Sequence, residues 1–355
     1  MTLIIAEAGV NHNGSRELAF RLVDAAHAAG ADIVKFQTFK ANKLASNLAK
    51  QAEYQVKNTG KEESQLEMLQ RLELPFDLHY ELVEHCKQLG IEFLSTAFDS
   101  ESLSFLVYDL GLKRLKLPSG ELTNAPLVLE YARTGCDIIL STGMASLAEI
   151  EDALGVIAFG LTRDKAAQPS YMSFREAYAS VDGQAALRDK VTILHCTTEY
   201  PAPMNEINLR AMDTLGNSFG LCAGYSDHSE GIAIPIAAVA RGAVVIEKHF
   251  TLDKAMDGPD HKASLDPHEL GSMVAAIRAV ECSLGSGVKA PTLSEVKNKS
   301  VARKSLVAMT GIANGEIFTT DNLTVKRPGT GINPFRYWDF LGKRASKSYK
   351  QDEEI

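Results

Sequence analysis

Long hydrophobic runs are missing from this chain of 355 residues, since no apolar stretch approaches the roughly 18 residues that a membrane-spanning helix needs. The amino terminus, MTLIIAEAGVNHNG, also lacks the basic segment and long apolar stretch of a signal peptide. We therefore expect no contact with a membrane, no secretion and a cytoplasmic location.

Cysteine is scarce and scattered, and the chain has no excess of positive charge. The absence of a CxxC pair favours buried free thiols in a reducing compartment over disulfides or a zinc site. The five cysteines are Cys86, Cys136, Cys196, Cys222 and Cys282. The net charge of −8 argues against nucleic acid as a partner. It does not exclude an anionic substrate, because binding of an anion depends on the lysines near the site and not on the net charge of the chain.

A repeating order of β-like and helical segments is the main pattern of the chain. With 45% hydrophobic and 23% charged residues, the chain can bury a sizeable core. Eight short runs are apolar on both faces, as strands of a buried parallel sheet are. They span residues 3–10, 33–38, 92–98, 115–120, 137–143, 192–198, 222–228 and 244–250.

Helical patterns follow most of these runs. Residues 15–30 and 77–90 each end in glycine, as helices often do at their carboxyl termini. Eight β/α units within residues 1–285 predict an α/β fold, the (β/α)₈ or TIM barrel. An open doubly wound sheet is the alternative, but no glycine-rich phosphate loop follows the first strand.

Four segments depart from the β/α pattern. A polar insertion at residues 39–75 follows the second strand, which places it at the mouth of a barrel, and a second insertion at 161–190 precedes the sixth strand. Residues 286–299 predict a linker. Residues 300–355 are strand-like and rich in turns, and they predict a small β module that docks on another surface because its own core is small.

Polar residues end seven of the eight predicted strands, and active sites of such barrels lie at the carboxyl ends of the strands. In the run that ends in Glu247-Lys248-His249, the first and third side chains point the same way because strand residues alternate faces. Buried polar groups need partners, so this many of them would be costly without a function.

The residue types at these strand ends indicate an anion site. Lys35 and Lys116 supply positive charge, and hydroxyl groups such as that of Ser119 donate hydrogen bonds to phosphate oxygens. The alternative for each lysine is a structural ion pair with Glu7 or Glu121.

Two histidines end neighbouring predicted strands. His228 and His249 suit a divalent transition ion such as Mn²⁺, whereas zinc is less favoured because no third histidine or cysteine is evident. Acid–base or hydrogen-bonding work without a metal is the alternative for this pair.

Several blocks stand in order along the chain, namely IIAEAGVNHNGS, VKFQTFKA, LPSGE, ILSTGMA, GYSDHS, VIEKHFTLD and GPDHKAS. They resemble the sialic acid synthase family over almost the whole chain, and AEYQVKNTGKEESQLEML is similar to the bacterial N-acetylneuraminate synthases. The tail, with GEIFTTDNLTVKRPGTGINP, resembles the family's antifreeze-like (SAF, β-clip) domain. The resemblance implies a TIM barrel followed by a small β-rich SAF domain at 300–355.

The resemblance also implies a reaction, in which phosphoenolpyruvate condenses with an open-chain N-acetylhexosamine and water and phosphate is released. The implied sugar is N-acetylmannosamine and the product N-acetylneuraminate. A legionaminic acid synthase that uses 2,4-diacetamido-2,4,6-trideoxymannose is the alternative. A catalytically dead barrel whose last module binds carbohydrate is an alternative of another class, and the intact set of polar residues argues against it.

Site residues carry over from the same resemblance. His228 and His249 are implied as ligands of the metal ion, with Mn²⁺ ahead of Mg²⁺ or Co²⁺. The implied catalytic residues are Glu7, Lys116, Glu121 (towards the attacking water) and Glu247. The implied substrate-binding residues are Lys35, Gln37, Ser119, Thr198, Tyr200, Ser226, Asp260 and Arg327. In the family an arginine at the position of Arg327 enters the partner's barrel, which implies a domain-swapped homodimer.

Overall fold

A computed structural model describes residues 1–46, 48–60 and 63–355. Residues 47, 61 and 62, which belong to the predicted insertion at 39–75, lie outside the described residues. The chain divides into two compact units, Met1–Leu284 and Gly285–Ile355.

The first unit is a closed barrel of eight parallel strands in which β8 pairs with β1. The predicted barrel is confirmed, and the alternative of an open sheet is wrong. The strands are β1 Leu3–Gly9, β2 Ile33–Thr38, β3 Glu92–Ala97, β4 Arg114–Leu117, β5 Asp137–Ser141, β6 Val191–His195, β7 Cys222–Asp227 and β8 Val245–His249. Each begins within one residue of the predicted position, because the buried strands are continuous apolar runs.

Helices connect the strands and cover the barrel. The first predicted helix, at 15–30, is observed at Arg16–Ala28, after Ser15, whose Oγ accepts a hydrogen bond from the Leu18 amide, and the one predicted at 77–90 ends, as predicted, at Gly90, which is in the left-handed conformation. The helices of this unit are α1 Arg16–Ala28, α2 Ala41–Leu44, α3 Glu53–Thr59, α4 Gln65–Leu72, α5 Phe76–Leu89, α6 Ser100–Ser104, α7 Ala125–Arg133, α8 Leu147–Thr162, α9 Tyr171–Ala179, α10 Val181–Lys190, α11 Ala211–Phe219, α12 Ala233–Ala240 and α13 Pro267–Leu284. Single turns of other type lie at Phe105–Asp109 (π), Ser119–Glu121 and His261–Ala263 (3₁₀).

Two predictions made from composition concern the whole chain. Within the described ranges, none of the helices combines the length and the apolar character needed to cross a membrane. All five cysteines are free thiols, as their scattered positions predict, but only three are buried, and the prediction of burial is wrong for Cys222 and Cys282, which are exposed.

An apolar layer fills the interior of the barrel below its carboxyl-terminal mouth. It consists of Ile5, Ile33, Leu94, Ile139, Leu194 and Val245, all buried. Side chains two residues further along a strand point the same way. The residues two positions after Ile5, Ile33 and Val245 are therefore also inside the barrel, and they are Glu7, Lys35 and Glu247. The alternation of the strands thus places a charged layer directly on the apolar one.

Both predicted insertions are helical. The one after β2 contains α2, α3 and α4, and α2 and α4 share a small apolar core with Val10, Phe39 and the partly buried Phe98. The second insertion forms α9 and α10 before β6.

The second unit is small and has its own core. It contains α14 Leu293–Ala302, β9 Ser305–Ala308, β10 Leu323–Lys326 and α15 Tyr337–Phe340, with a 3₁₀ turn at Pro334–Arg336. The two strands are antiparallel. The core consists of Leu306, Ala308, Ile312, Phe318, Leu323, Ala345 and Tyr349. The predicted linker at 286–299 is not wholly irregular, because α14 begins inside it at Leu293, where Thr292 caps the helix.

Candidate active site

A cavity of about 240 Å³ opens at the carboxyl ends of the barrel strands. Of the fourteen site residues predicted from the sequence, twelve line it: Glu7, Lys35, Gln37, Lys116, Ser119, Thr198, Tyr200, Ser226, His228, Glu247, His249 and Asp260. They come from β1, β2, β4, β7 and β8 and from the loops that follow β4, β6, β7 and β8. The closed barrel thus brings residues from distant parts of the chain to one place.

Glu247 lies at the centre of a buried ionic network. One of its carboxylate oxygens is 3.4 Å from the Lys35 ammonium, and the other is 3.4 Å from the Lys116 ammonium. The hydroxyl of Ser226, on the neighbouring strand, donates a hydrogen bond of 2.8 Å to Glu247 Oε1. Lys35 also contacts Glu7 Oε2 at 2.5 Å. A single carboxylate therefore holds two ammonium groups at the bottom of the cavity.

The two carboxylates of this network titrate differently. Burial opposes ionisation of Glu247, but the ammonium groups of Lys116 and Lys35 and the Ser226 hydroxyl hold its pKa well below the usual range. Burial raises the pKa of Glu7 to about 7, and the nearby Lys35 only partly offsets that effect. Because Glu247 contacts two lysines and Glu7 contacts one, Glu247 carries the permanent negative charge.

Glu7 and two other polar residues converge over the backbone of Gly9. A Cβ atom at Gly9 would lie 3.1 Å from Glu7 Oε1, 3.4 Å from His249 Cε1 and 3.5 Å from Gln37 Nε2. Gly9 also has a φ of +51°, a backbone conformation that side chains disfavour. Glycine here lets the carboxyl, the imidazole and the amide face the same small volume.

Hydroxyl and thiol groups form the side of the cavity nearest Lys116. Ser119 Oγ accepts a hydrogen bond of 2.8 Å from the Gly143 amide and lies 3.2 Å from Cys196 Sγ. A Cβ at Gly143 would overlap Thr198 Oγ1 and crowd both Ser119 and Cys196. Thr198 Oγ1 is buried with no hydrogen-bond partner among the described residues. The Thr198 hydroxyl, beside that of Ser119, is therefore available to bind a small anion.

The two histidines lie side by side on the other side of the cavity. Their ring centroids are 5.6 Å apart, and the centroid of the Tyr200 ring, tilted by 32°, lies 4.1 Å from that of His228. The Nδ1 atom of His228 lies 2.6 Å from the Thr197 carbonyl oxygen. A proton on Nδ1 would be donated to that oxygen, which leaves the lone pair on Nε2. His249 Nδ1 is buried, and none of the described residues hydrogen-bonds to it.

This pair fits a divalent metal ion by its chemistry. Burial lowers the pKa of His228 to about 4 and that of His249 well below its usual value, so both imidazoles are neutral. Neutral imidazoles are the form that binds metal ions. Across 1–46, 48–60 and 63–355, no group of three or more His, Cys, Asp and Glu side chains is arranged to hold an ion. Two histidines would therefore leave further ligand positions to substrate or water.

Asp260 lies beside the histidines. Its carboxylate is 4.0 Å from His249 Nδ1, and burial raises its pKa to about 6.

Two predicted site residues lie outside the lining of the cavity. Glu121 ends the 3₁₀ turn after β4, is partly exposed and accepts a hydrogen bond of 2.7 Å from Asn124 Nδ2. Arg327 lies in the second unit, where its Nε donates to the Ala302 carbonyl at 2.9 Å.

Several lining residues were not predicted. Cys196 has no catalytic sequence pattern around it, and burial raises the pKa of its thiol. The others are Val10, Gln55, Met68, Leu69, Leu72, Thr96, Phe98, Pro118, Gly120, Ser141 and Pro259. Most of them are apolar, and Met68, Leu69 and Leu72 come from α4. The spacing of these three residues is typical of the apolar face of a helix, but the composition of the insertion as a whole is polar.

The chain is similar to several known proteins. A family model described as the NeuB family matches residues 22–289. The chain is 52% identical over 354 residues to the N,N'-diacetyllegionaminic acid synthase of Campylobacter jejuni, covering 100% of this chain and 98% of that relative. It is 45% identical to the protein of the same name from Legionella pneumophila, covering 97% and 90%. A solved structure of N-acetylneuraminic acid synthetase from Leptospira borgpetersenii is 32% identical with a TM-score of 0.66, covering 84% and 90%.

Proposed function

Because the chain belongs to the NeuB family, we propose that it condenses phosphoenolpyruvate with 2,4-diacetamido-2,4,6-trideoxymannose and water to form N,N'-diacetyllegionaminic acid and phosphate. The observation that carries the reaction class is the pair of buried lysines joined by Glu247 beside two neutral histidines. The choice of sugar rests on the two legionaminic acid synthases, at 52% and 45% identity. They favour this reading over the N-acetylneuraminate synthase expected from sequence motifs.

Phosphoenolpyruvate binds, in this proposal, on the side of the cavity that holds Lys35 and Lys116. The ammonium groups bind its phosphate and carboxylate, and the hydroxyls of Ser119 and Thr198 donate hydrogen bonds to the same oxygens. Glu247 fixes the two lysines before the substrate arrives, so little reorganisation accompanies binding.

The sugar aldehyde binds on the opposite side, near His228 and His249. These two residues would hold a divalent ion, with Mn²⁺ proposed ahead of Mg²⁺ and Co²⁺. Such an ion supplies Lewis-acid stabilisation of the negative charge that develops on the aldehyde oxygen. Gln37, Tyr200 and Asp260 orient the sugar by hydrogen bonds to its polar groups.

The bonds change in two steps. Carbon 3 of phosphoenolpyruvate attacks the aldehyde carbon, whose oxygen becomes a hydroxyl, and a water oxygen adds to carbon 2. The bond between carbon 2 and the bridging oxygen then breaks, so that phosphate leaves with that oxygen and carbon 2 becomes a ketone. Glu7 holds a proton next to the aldehyde side, and Glu121 remains the proposed base for the water.

A comparison of two sugars tests the choice of substrate. We expect kcat/KM for 2,4-diacetamido-2,4,6-trideoxymannose to exceed that for N-acetylmannosamine by at least about tenfold, since a site that binds an acetamido group loses those contacts with a hydroxyl. The measurement is phosphate release at saturating phosphoenolpyruvate and Mn²⁺. A higher kcat/KM for N-acetylmannosamine would reverse the assignment of the sugar. If no phosphate is released with either sugar, the proposed reaction class is contradicted.

We also propose that the chain works as a homodimer in which the second unit, an antifreeze-like module, serves the partner's barrel. Residues 285–355 contain 12 Lys and Arg against seven Asp and Glu, whereas residues 1–284 contain 25 against 38. The second unit also exposes Phe335 and Trp338, two large aromatic side chains. Opposite charge and exposed apolar surface favour docking of one copy on another.

Arg327 provides the test of this arrangement. Mixing an Arg327→Ala chain with a Lys116→Met chain is expected to restore activity above that of either variant alone, because in each heterodimer the barrel that keeps Lys116 receives the intact Arg327 of its partner. The measurement is sugar-dependent phosphate release after the two proteins are unfolded and refolded together. Heterodimers without restored activity would contradict the swap.

A further inference from the structure

One wall of the catalytic cavity is apolar, in contrast to its charged floor. Met68, Leu69 and Leu72 line the cavity from α4, and all three are buried. Residues 68 and 72 are one turn apart, so they lie on the same face of the helix. Val10 and Phe98, which follow β1 and β3, line the cavity beside them.

Met68 and Leu72 separate two cavities. A second cavity of about 220 Å³ adjoins the first and shares Met68, Leu72 and Pro259 with it. Its other lining residues include Asn13, Arg71 and Asp257. The apolar side chains of Met68 and Leu72 therefore lie between two cavities with polar lining residues, and contacts hold them in place. Gln51 Nε2, for example, donates a hydrogen bond of 3.4 Å to Met68 Sδ.

The position of this wall fixes which part of a sugar can reach it. The lysines come from β2 and β4 and the histidines from the ends of β7 and β8, whereas the wall lies over the ends of β1 to β3. A reacting aldehyde must lie between phosphoenolpyruvate and the histidines, at the strand ends. The far end of an open-chain sugar then extends away from the floor, towards the helices of the insertion.

The geometry points to Met68, Leu69 and Leu72 as the residues that select the 6-deoxy end of the sugar, by packing against its C6 methyl group. This inference rests on the proposed function and assigns the specificity of that site to one helix. A hydroxyl at C6 would be buried against apolar side chains that offer it no hydrogen bond in exchange for those to water, and that costs binding energy. An apolar pocket discriminates against one added hydroxyl by on the order of 10- to 100-fold.

Two sugars that differ only at C6 test the assignment, N-acetylmannosamine and its 6-deoxy derivative. With Mn²⁺ and saturating phosphoenolpyruvate, we expect the wild type to prefer the 6-deoxy sugar in kcat/KM by on the order of tenfold or more. The Met68→Gln variant is expected to bring this ratio close to one, because the amide offers the hydroxyl a partner. Met68→Leu is the matched control and retains the ratio. The KM for phosphoenolpyruvate is expected to be the same in all three proteins.

A second pair of variants covers a failure of Met68→Gln to fold, as judged by circular dichroism. Leu72→Asn is expected to lower the ratio and Leu72→Met to retain it. Equal ratios in the wild type and both polar variants, or an equal loss in a polar variant and its apolar control, would overturn the inference. Its failure is distinct from the two failures of the proposed function. If the reaction class is wrong, no sugar supports phosphate release by the wild type, and if the choice of sugar is wrong, the wild type prefers N-acetylmannosamine to 2,4-diacetamido-2,4,6-trideoxymannose.

Discussion

Replacing Glu247 by glutamine is expected to lower the free energy of unfolding by about 3 kcal/mol, because it leaves two buried ammonium groups without their shared carboxylate. Lys35 retains its contact with Glu7, whereas Lys116 forms no ion pair with any described residue other than Glu247. Urea denaturation followed by far-ultraviolet circular dichroism measures the change. Fluorescence is less suitable, because the single tryptophan, Trp338, lies in the second unit.

Phosphoenolpyruvate separates this explanation from a simple packing defect. Its negative charges would take the place of the lost carboxylate, so the ligand is expected to stabilise Glu247→Gln more than the wild type. Glu92→Gln is the matched control, since Glu92 forms an exposed pair with Arg114 at 2.7 Å and such pairs contribute about 0.2–1 kcal/mol. Equal losses in the two variants, or no extra stabilisation by the ligand, would contradict the proposed role of Glu247.

The second large effect concerns a buried ion pair on the outer face of the barrel strands. Lys248 Nζ lies 2.6 Å from Asp227 Oδ2 and also donates to the Ser229 carbonyl, and both charged side chains are fully buried. Asp227→Asn is expected to lower the free energy of unfolding by about 3–5 kcal/mol, because the ammonium remains buried without its counterion. The pair joins β7 to β8 directly before His228 and His249, so its loss also disturbs the histidines.

The double variant Asp227→Asn/Lys248→Met distinguishes the loss of the ion pair from a loss of side-chain packing. Removal of both charges is expected to restore most of the stability, since apolar replacements of buried ion pairs are often neutral. Denaturation of the wild type, both single variants and the double variant gives the coupling energy. Additive losses would show that Asp227 and Lys248 stabilise the barrel independently of each other.

The barrel could be predicted from the sequence because its strands are simple. Each is a short apolar run, and each begins within one residue of its predicted start. The ends were less accurate, by up to three residues, since polar residues continue the extended chain into the mouth after the pairing stops. The helix α14 was missed because the residues before it have the composition of a linker. The capping box formed by Thr292 and Glu295 was the sequence signal for its start.

The charged layer of the site was predictable for a related reason. Once the strands are in register, alternation alone brings Glu7, Lys35 and Glu247 inside the barrel. The sequence also offered Glu7 or Glu121 as ion-pair partners for the lysines, and the structure pairs Lys35 with Glu7. The contact of Glu247 with both lysines could not be predicted, because it depends on distances between side chains of three different strands.

Other features of the site depend on tertiary contacts. The apolar wall on α4 could not be predicted, because only the folded insertion turns Met68 and Leu72 towards the strand ends. Lys248 stands between two site residues in the sequence, but alternation directs it to the opposite face and to Asp227.

The most direct test of the proposed reaction is the fate of the phosphate oxygens when the protein converts phosphoenolpyruvate and 2,4-diacetamido-2,4,6-trideoxymannose in ¹⁸O-labelled water with Mn²⁺. Mass spectrometry is expected to show unlabelled phosphate, released in equal amount to a nine-carbon sugar acid, because water adds to carbon 2 and the bridging oxygen leaves with the phosphate. Phosphate that carries ¹⁸O, or phosphate released without the sugar acid, would contradict a carbon–carbon condensation at this site.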